Sequence, residues 1–390
     1  MKSKKIKICH VASIDMTVRF ILLNQLLFLK NQGYDVSVVC SDGRWVEDIQ
    51  GNGIKVKTIE IKRKIFTPIS DIIAFIKLII YFLNEKTDIV HTHTPKAGIL
   101  GRFAAKIAGV RIICHTNHGF YFQNNSSFLK KKFFVFMEKL AAYCCDVFFS
   151  INKEDIESAV KEKICNWRKI RYSGDGIDIS RFNPEKFSKE FRDALKIKLG
   201  IKNTDKIVGF VGRLVGEKGI WDLMQASESV LGELPDTTFL VIGPKEPYKN
   251  DYFDPELFNK KFGSSKKLLF LNETLEIDKM YSLMDILALP SHREGLGLVL
   301  LEASAMEKPV VATNIRGCRE AVDNGKTGLL VPAKDPGKLA GAIIYLLRNS
   351  EISEKMGKAG RQKIISEFDE KLIFDRIKIE YEKLIKRKLK

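Results

Sequence analysis

Residues 206–231 read KIVGFVGRLVGEKGIWDLMQASESVL. The opening run, Lys206–Val211, is apolar and short, as a buried strand is. Gly212, Gly216 and Gly219 then break the chain. From Gly219 to Leu231 apolar residues recur at helical spacing. A strand that passes through a glycine-rich turn into a helix is the opening unit of a parallel, doubly wound sheet. Working outward, the unit repeats. Downstream the sequence predicts strands over Thr238–Ile242, Leu268–Leu271, Ile286–Pro290 and Pro309–Thr313, with helices over Ile277–Met284, Leu298–Met306 and Lys338–Arg348. Upstream it predicts strands over Ile6–Val11, Asp35–Cys40, Val56–Ile61, Asp88–His93, Arg111–Thr116 and Asp146–Ile151. The helices between them are Phe20–Asn31, Ile69–Asn84, Lys96–Ala108 and Phe128–Tyr143.

With 390 residues the chain exceeds one ordinary core. A polar stretch carrying Gly and Pro, Gly174–Lys202, separates the two series and places the domain boundary. The expected domains are 1–182 and 183–370. A final helix, Leu372–Leu389, is expected to pack back, within 371–390, on the N-terminal domain. Two doubly wound domains imply a cleft, and ligands of such sheets bind beyond the carboxyl ends of the strands.

The formal charge of +17 is unevenly spread. Residues 1–182 carry 29 Lys/Arg against 17 Asp/Glu, residues 183–370 carry 28 of each, and the last twenty carry 8 against 3. An excess confined to one half implies an anionic partner there, nucleic acid or an acidic membrane leaflet. Stacking aromatics interleaved with the basic residues are missing, which counts against nucleic acid. The seven cysteines form no C-x-x-C pair and sit mostly in apolar runs, as free thiols of a reduced, cytoplasmic chain do. The start, MKSKKIKICHVASID, has too short an apolar run for a signal peptide. The longest apolar stretch, Ile69–Leu83, is broken by Asp71 and Lys77, so no transmembrane helix is expected.

Two segments carry the chemistry. In VGFVGRLVGEKG (208–219) the glycines let a ligand approach the backbone, and Arg213 and Lys218 stand five apart across one turn. Two cations aimed at one spot suit a diphosphate. The order of a Walker A loop is absent, as is G-x-G-x-x-G. In PSHREGLGLVLLEASAM (290–306) a strand ends at Pro290, a loop carries Glu294, Gly295 and Gly297, and a helix follows. A helix N-terminus offers free N–H groups to a phosphate. Glu302 lies one turn inside that apolar helix, where a carboxylate without a partner is expensive. A carboxylate there reaches hydroxyls further along the same ligand.

The pairing of VGRLxxEKG with PSxxEGxGLVxLEA resembles the retaining family-4 glycosyltransferases of the GT-B fold, two Rossmann-like domains facing a cleft. DIVHTHTPKAG (88–98), HTNHGF (115–120), GIDISRFNP (176–184) and KTGLLVP (326–332) are similar to the capsule and exopolysaccharide members. The resemblance implies transfer of a sugar from a nucleoside-diphosphate sugar, a UDP-sugar, to a lipid-linked acceptor such as a polyprenyl diphosphate sugar, with retention of anomeric configuration. It assigns acceptor binding to the N-terminal domain and the nucleotide sugar to the C-terminal one. By it Arg213 and Lys218 hold the donor diphosphate, Glu294 lies beside sugar and phosphate, and the N–H groups of Gly295, Leu296, Gly297 and Leu298 face the β-phosphate. Glu302 binds ribose, and His118 lines the sugar pocket. Relatives carry paired glycines where this chain has Ser13–Arg19, so contacts there stay open. The alternative reading is another enzyme of the same fold, such as a sugar-nucleotide epimerase.

All six histidines fall at or just after predicted strand ends. His91 with His93, and His115 with His118, raise a zinc site, but there is neither an i, i+4 helical pair nor a cysteine cluster. Of these only His118 is read as functional. No Asp-x-Asp occurs in the chain, so no cofactor is expected and the diphosphate is assigned to protein cations rather than to a metal. Finally, Lys62, Arg63 and Lys64 precede an apolar helix, and Lys130, Lys131 and Lys132 sit among phenylalanines. Such clusters suit peripheral contact with the inner, anionic face of the cell membrane.

Overall fold

The opening apolar run becomes β1 (Lys7–Ile14), a buried interior strand of the first sheet in a computed structural model that describes residues 5–62, 64, 66–120, 128–262 and 265–389. Around it lie β2 (Asp35–Ser41), β3 (Lys55–Thr58), β4 (Ile89–Thr92), β5 (Ile112–Asn117), β6 (Val147–Ser150) and β7 (Ile170–Tyr172). Their order is β3-β2-β1-β4-β5-β6-β7, and every pairing is parallel. The crossovers carry α1 (Asp15–Thr17), α2 (Leu23–Asn31), α3 (Val46–Gly51), α4 (Pro68–Glu85), α5 (Pro95–Ile107), α6 (Phe128–Cys144) and α7 (Lys153–Lys161). One π turn, Val18–Leu22, joins α1 to α2. Because β1 continues to Ile14, His10 lies in mid-strand, not near a strand end as the sequence predicts.

The second sheet repeats the architecture: β8 (Lys206–Val211), β9 (Thr237–Ile242), β10 (Leu268–Leu271), β11 (Ile286–Leu289), β12 (Val310–Thr313) and β13 (Gly328–Val331). The order is β10-β9-β8-β11-β12-β13, again parallel throughout. Its helices are α8 (Lys189–Lys198), α9 (Ile220–Glu233), α10 (Pro255–Phe262), α11 (Ile277–Leu283), α12 (Leu298–Ala305), α13 (Arg316–Ala321), α14 (Pro336–Arg348) and α15 (Ser350–Lys363). Helix α8 falls inside the stretch read as a polar connector. It lines up Phe191, Leu195 and Leu199 on one side but fully buries no residue, and its start is held by Ser188, which accepts the Phe191 N–H at 3.2 Å.

The closing helix, α16 (Glu370–Lys388), places Ile373, Phe374, Ile377 and Tyr381 in the core that holds Ile8, Leu26 and Phe149. The chain thus divides into one unit of Met1–Gly174 with Lys371–Lys390 and a second of Asp175–Glu370. The other face of the first sheet is covered by α4, α5 and α6, whose Leu78, Phe82, Ala104 and Val135 pack with Val11 and Phe148. Among the described residues no helix is long and apolar enough to cross a membrane.

Candidate active site

In the second unit the strand order reverses between β8 and β11, which pair side by side. Crossovers diverge there, and the carboxyl ends of the two strands leave a crevice that suits a ligand. The two segments singled out in the sequence emerge at that place. They are fastened to each other: His292 N–H donates to the Glu217 carbonyl at 2.9 Å. Gly219, at φ +73°, presses against Pro290 so closely that a Cβ would stand 1.9 Å from its carbonyl oxygen. Only glycine takes both that conformation and that approach. Asp251 closes the turn from the other side, its carbonyl accepting Gly216 N–H at 2.7 Å and its carboxylate accepting Glu217 N–H at 2.8 Å.

Both cations assigned to the diphosphate are held in ion pairs. Lys218 Nζ stands 2.6 Å from Glu294 Oε1, which also accepts Ser291 Oγ at 2.7 Å. Arg213 donates to Glu246 at 2.9 Å and lies 3.6 Å from Glu217. Burial works against the Arg213 charge, but the Glu246 hydrogen bond and the charges of Glu246, Glu217 and Glu294 outweigh it and raise its pKa. Glu294 therefore acts on both cations. It is buried, and Gly317 leaves it room, since a Cβ there would lie 2.8 Å from Glu294 Cβ.

Helix α12 begins at Gly297 with no side-chain cap. A helix start carries backbone donors, although in this first turn Leu298 N–H and Leu300 N–H already donate to the Leu296 and Gly297 carbonyls, both at 2.8 Å. Glu302 has the partner its apolar setting demands: Tyr281 OH donates to it at 2.7 Å. Burial nevertheless pushes the Glu302 carboxyl up to about 7, the Tyr281 bond opposing the shift.

In the first unit His118 follows the end of β5, and its Nε2 lies 3.1 Å from His93 Nδ1. His93 Nε2 in turn lies 2.9 Å from His10 Nδ1. His91 bonds Thr116 at 2.7 Å and Tyr381 of α16. His115 bonds Thr92 at 2.9 Å. Burial holds His10 down at about 3, and burial followed by the neighbouring charges lowers His91, His93 and His115. These rings are neutral at physiological pH. His10, His91 and His93 bring ring nitrogens within 4.8 Å of one another, close enough to hold a metal ion. Every ring nitrogen of the three except His10 Nε2 is already engaged, and His10 and His93 form a hydrogen-bonded column that orients His118, with His91 stacked on His93. Ahead of it, Ser13 Oγ meets Thr94 Oγ1 at 2.8 Å, and Arg19 is ion-paired to Asp48. The carboxylate of Asp15 accepts Trp45 N–H at 2.8 Å. The segment Ser13–Arg19 thus runs from the end of β1 into helix, held by Thr94, Trp45 and Asp48.

Of the basic clusters, Lys62, Lys64 and Lys132 are exposed and Lys131 pairs with Glu162 at 2.5 Å. Arg63 and the Lys130 side chain lie outside the described residues.

Two families match the chain in succession: glycosyl transferase 4-like over residues 7–152 and glycosyl transferases group 1 over residues 191–363. Together the two matches span most of the chain, which is a glycosyltransferase. It is 28% identical, over 97% of both chains, to the Escherichia coli UDP-Gal:alpha-D-GlcNAc-diphosphoundecaprenol alpha-1,3-galactosyltransferase. It is also 28% identical, over 98% of both, to the capsular polysaccharide biosynthesis glycosyltransferase CapM of Staphylococcus aureus. The fold is that of Anabaena HepE, solved with UDP and glucose, at a TM-score of 0.82 and 19% identity over 97% of this chain and 100% of that one.

Within this glycosyltransferase the sequence reading misses Glu246, Ser291, Tyr281 and Gly317. Glu246 had a usable signal, because it stands just past the carboxyl end of β9, where ligand-facing residues belong. Tyr281 had none, since it sits in the apolar period of α11 like any core residue.

Proposed function

We propose that the enzyme transfers a glycosyl group from a UDP-sugar to a polyprenyl diphosphate-linked acceptor in cell-surface polysaccharide assembly, with retention of configuration and without a metal. The observation that carries this reading is the convergence of Arg213, Lys218, Glu294 and the uncapped start of α12 at the switch point of the second sheet. The names of the Escherichia coli and Staphylococcus aureus relatives support the donor, the lipid-linked acceptor and the polysaccharide product.

Breaking the anomeric C–O bond leaves negative charge on the departing diphosphate and an oxocarbenium-like sugar. Glu294 and Glu246 neutralise the two cations, and an arriving diphosphate shares Lys218 and Arg213 with them. Each cationic donor aimed at the developing charge contributes about 2–4 kcal/mol. Glu294, bound through one oxygen to Lys218 and Ser291, is a poor nucleophile, which supports attack from the face the leaving group departs, with no covalent sugar–enzyme intermediate. Glu302 accepts the ribose hydroxyls, and His118, oriented by His93, lines the sugar pocket. The first unit binds the acceptor, and its basic clusters, Lys62–Lys64 and Lys130–Lys132, keep the enzyme at the anionic face of the membrane.

Arg213→Ala and Lys218→Ala are each expected to lower turnover of labelled UDP-sugar by at least ~100-fold, with the wild type equally active in EDTA. Near-normal turnover in both variants, or loss of wild-type activity in EDTA that a divalent ion restores, refutes the assignment.

A further inference from the structure

Helix α4 is apolar on two opposite sides. Ala74, Leu78 and Phe82 are buried in the unit's core. Ile69, Ile72, Ile73, Ile76, Ile80 and Leu83 recur at spacings of three and four on the other side, 48% to 75% exposed. A helix that only packs on a sheet needs one such stripe. Helix α5 packs between α4 and α6, and α6 adds exposed Leu129, Phe133, Phe136 and Leu140 to the same layer. An apolar surface of this extent marks an interaction site.

The charges around the stripe identify what covers it. One shallow groove beside α4 is lined by Lys62, Ile69, Ile73 and Lys77, together with Glu60. A second is lined by Lys57, Lys77, Ile80 and Tyr81, together with Glu85. All three lysines are exposed, so cations stand beside the isoleucines at both grooves. Lysine is depleted from the cores of protein–protein interfaces. It is favoured where a long stem lies on apolar surface and its head meets lipid phosphate.

We propose that α4 lies in the plane of an anionic leaflet, its isoleucine stripe in the acyl boundary and Lys57, Lys62 and Lys77 on the lipid phosphates. This deepens the membrane reading given above and rests on it. The surface extends the first basic cluster and the helix it precedes: Lys57 and Lys77 belong to neither cluster, and only the fold shows which isoleucines face outward.

The test is flotation of the full chain with phosphatidylglycerol/phosphatidylcholine vesicles and with phosphatidylcholine alone. The wild type is expected to float with the anionic vesicles. Ile72→Glu/Ile76→Glu is expected to reduce flotation at least tenfold, and Lys57→Ala/Lys77→Ala to reduce it on the anionic vesicles alone. Both variants are expected to keep the wild-type circular dichroism and the thermal shift induced by UDP. A milder pair, Ile72→Ser/Ile76→Ser, gives the same ranking if the glutamates perturb folding. Wild-type flotation by both isoleucine variants overturns the α4 assignment while leaving the transferase reading in place. Conversion of a wild-type dimer to a monomer by those variants, with flotation unchanged, overturns it in favour of a contact between copies. Absence of any UDP shift in the wild type counts against the donor site alone, because flotation is read independently.

Discussion

Glu302 is a carboxylate placed where its charge is costly. Its pKa of about 7 lies above the ordinary 4.5, burial being the cause. Between those values the folded protein binds more protons than the unfolded one, so stability from this site is complete below pH 4.5 and is lost as pH rises through 7. Glu302→Gln keeps an oxygen for Tyr281 OH and removes that slope. The variant is expected to melt above the wild type at pH 8 and level with it near pH 4, while binding UDP about tenfold more weakly through loss of a charged acceptor. A variant less stable than wild type at pH 8 contradicts the account. The sequence shows that Glu302 is out of place in an apolar helix, but not its answer in Tyr281, which comes from another helix.

Between elements the comparable case is Arg102 of α5, fully buried and ion-paired to Glu138 of α6 at 2.8 Å. Its Nε donates to the Gly98 carbonyl at 2.8 Å, while its Nη1 has no partner. The pair ties together two of the helices that cover the first sheet. Glu138→Ala strands a buried guanidinium and is expected to cost about 3–5 kcal/mol in urea unfolding. Glu138→Gln, which keeps the acceptor, is expected to cost less. Equal stability of the alanine variant and the wild type contradicts this. Helices α4, α5 and α6 are legible from periodicity to within a residue, whereas β1 runs three residues past its predicted end and β3 stops three short of its own. Helix α8 and strand β7 are not read from the sequence, the first because its few apolar positions stand among a majority of charged ones and the second because three residues hold no period.

Over the whole molecule the two units answer acid in opposite directions. His10, at about 3 against an ordinary 6.5, must stay neutral in the folded first unit. Its contribution is complete above pH 6.5 and lost as pH falls toward 3, and His91, His93 and His115 act in the same direction. Glu302 in the second unit gains on the same descent. Hydrogen exchange at pH about 4.5 is therefore expected to lose protection in β1 and β4 before β8 and β11, and simultaneous loss contradicts the assignment.

The two doubly wound sheets and the segments at residues 208–219 and 290–306 were determined by the sequence alone, because strand length, helical period and glycine position are local properties. Which carboxylate answers which cation was decided only by tertiary structure. Arg213 meets Glu246 across 33 residues and Lys218 meets Glu294 across 76, pairings that depend on which strands lie side by side. The same holds for α4: its composition shows isoleucine all round, and only packing against the sheet turns one stripe inward and leaves the other facing out.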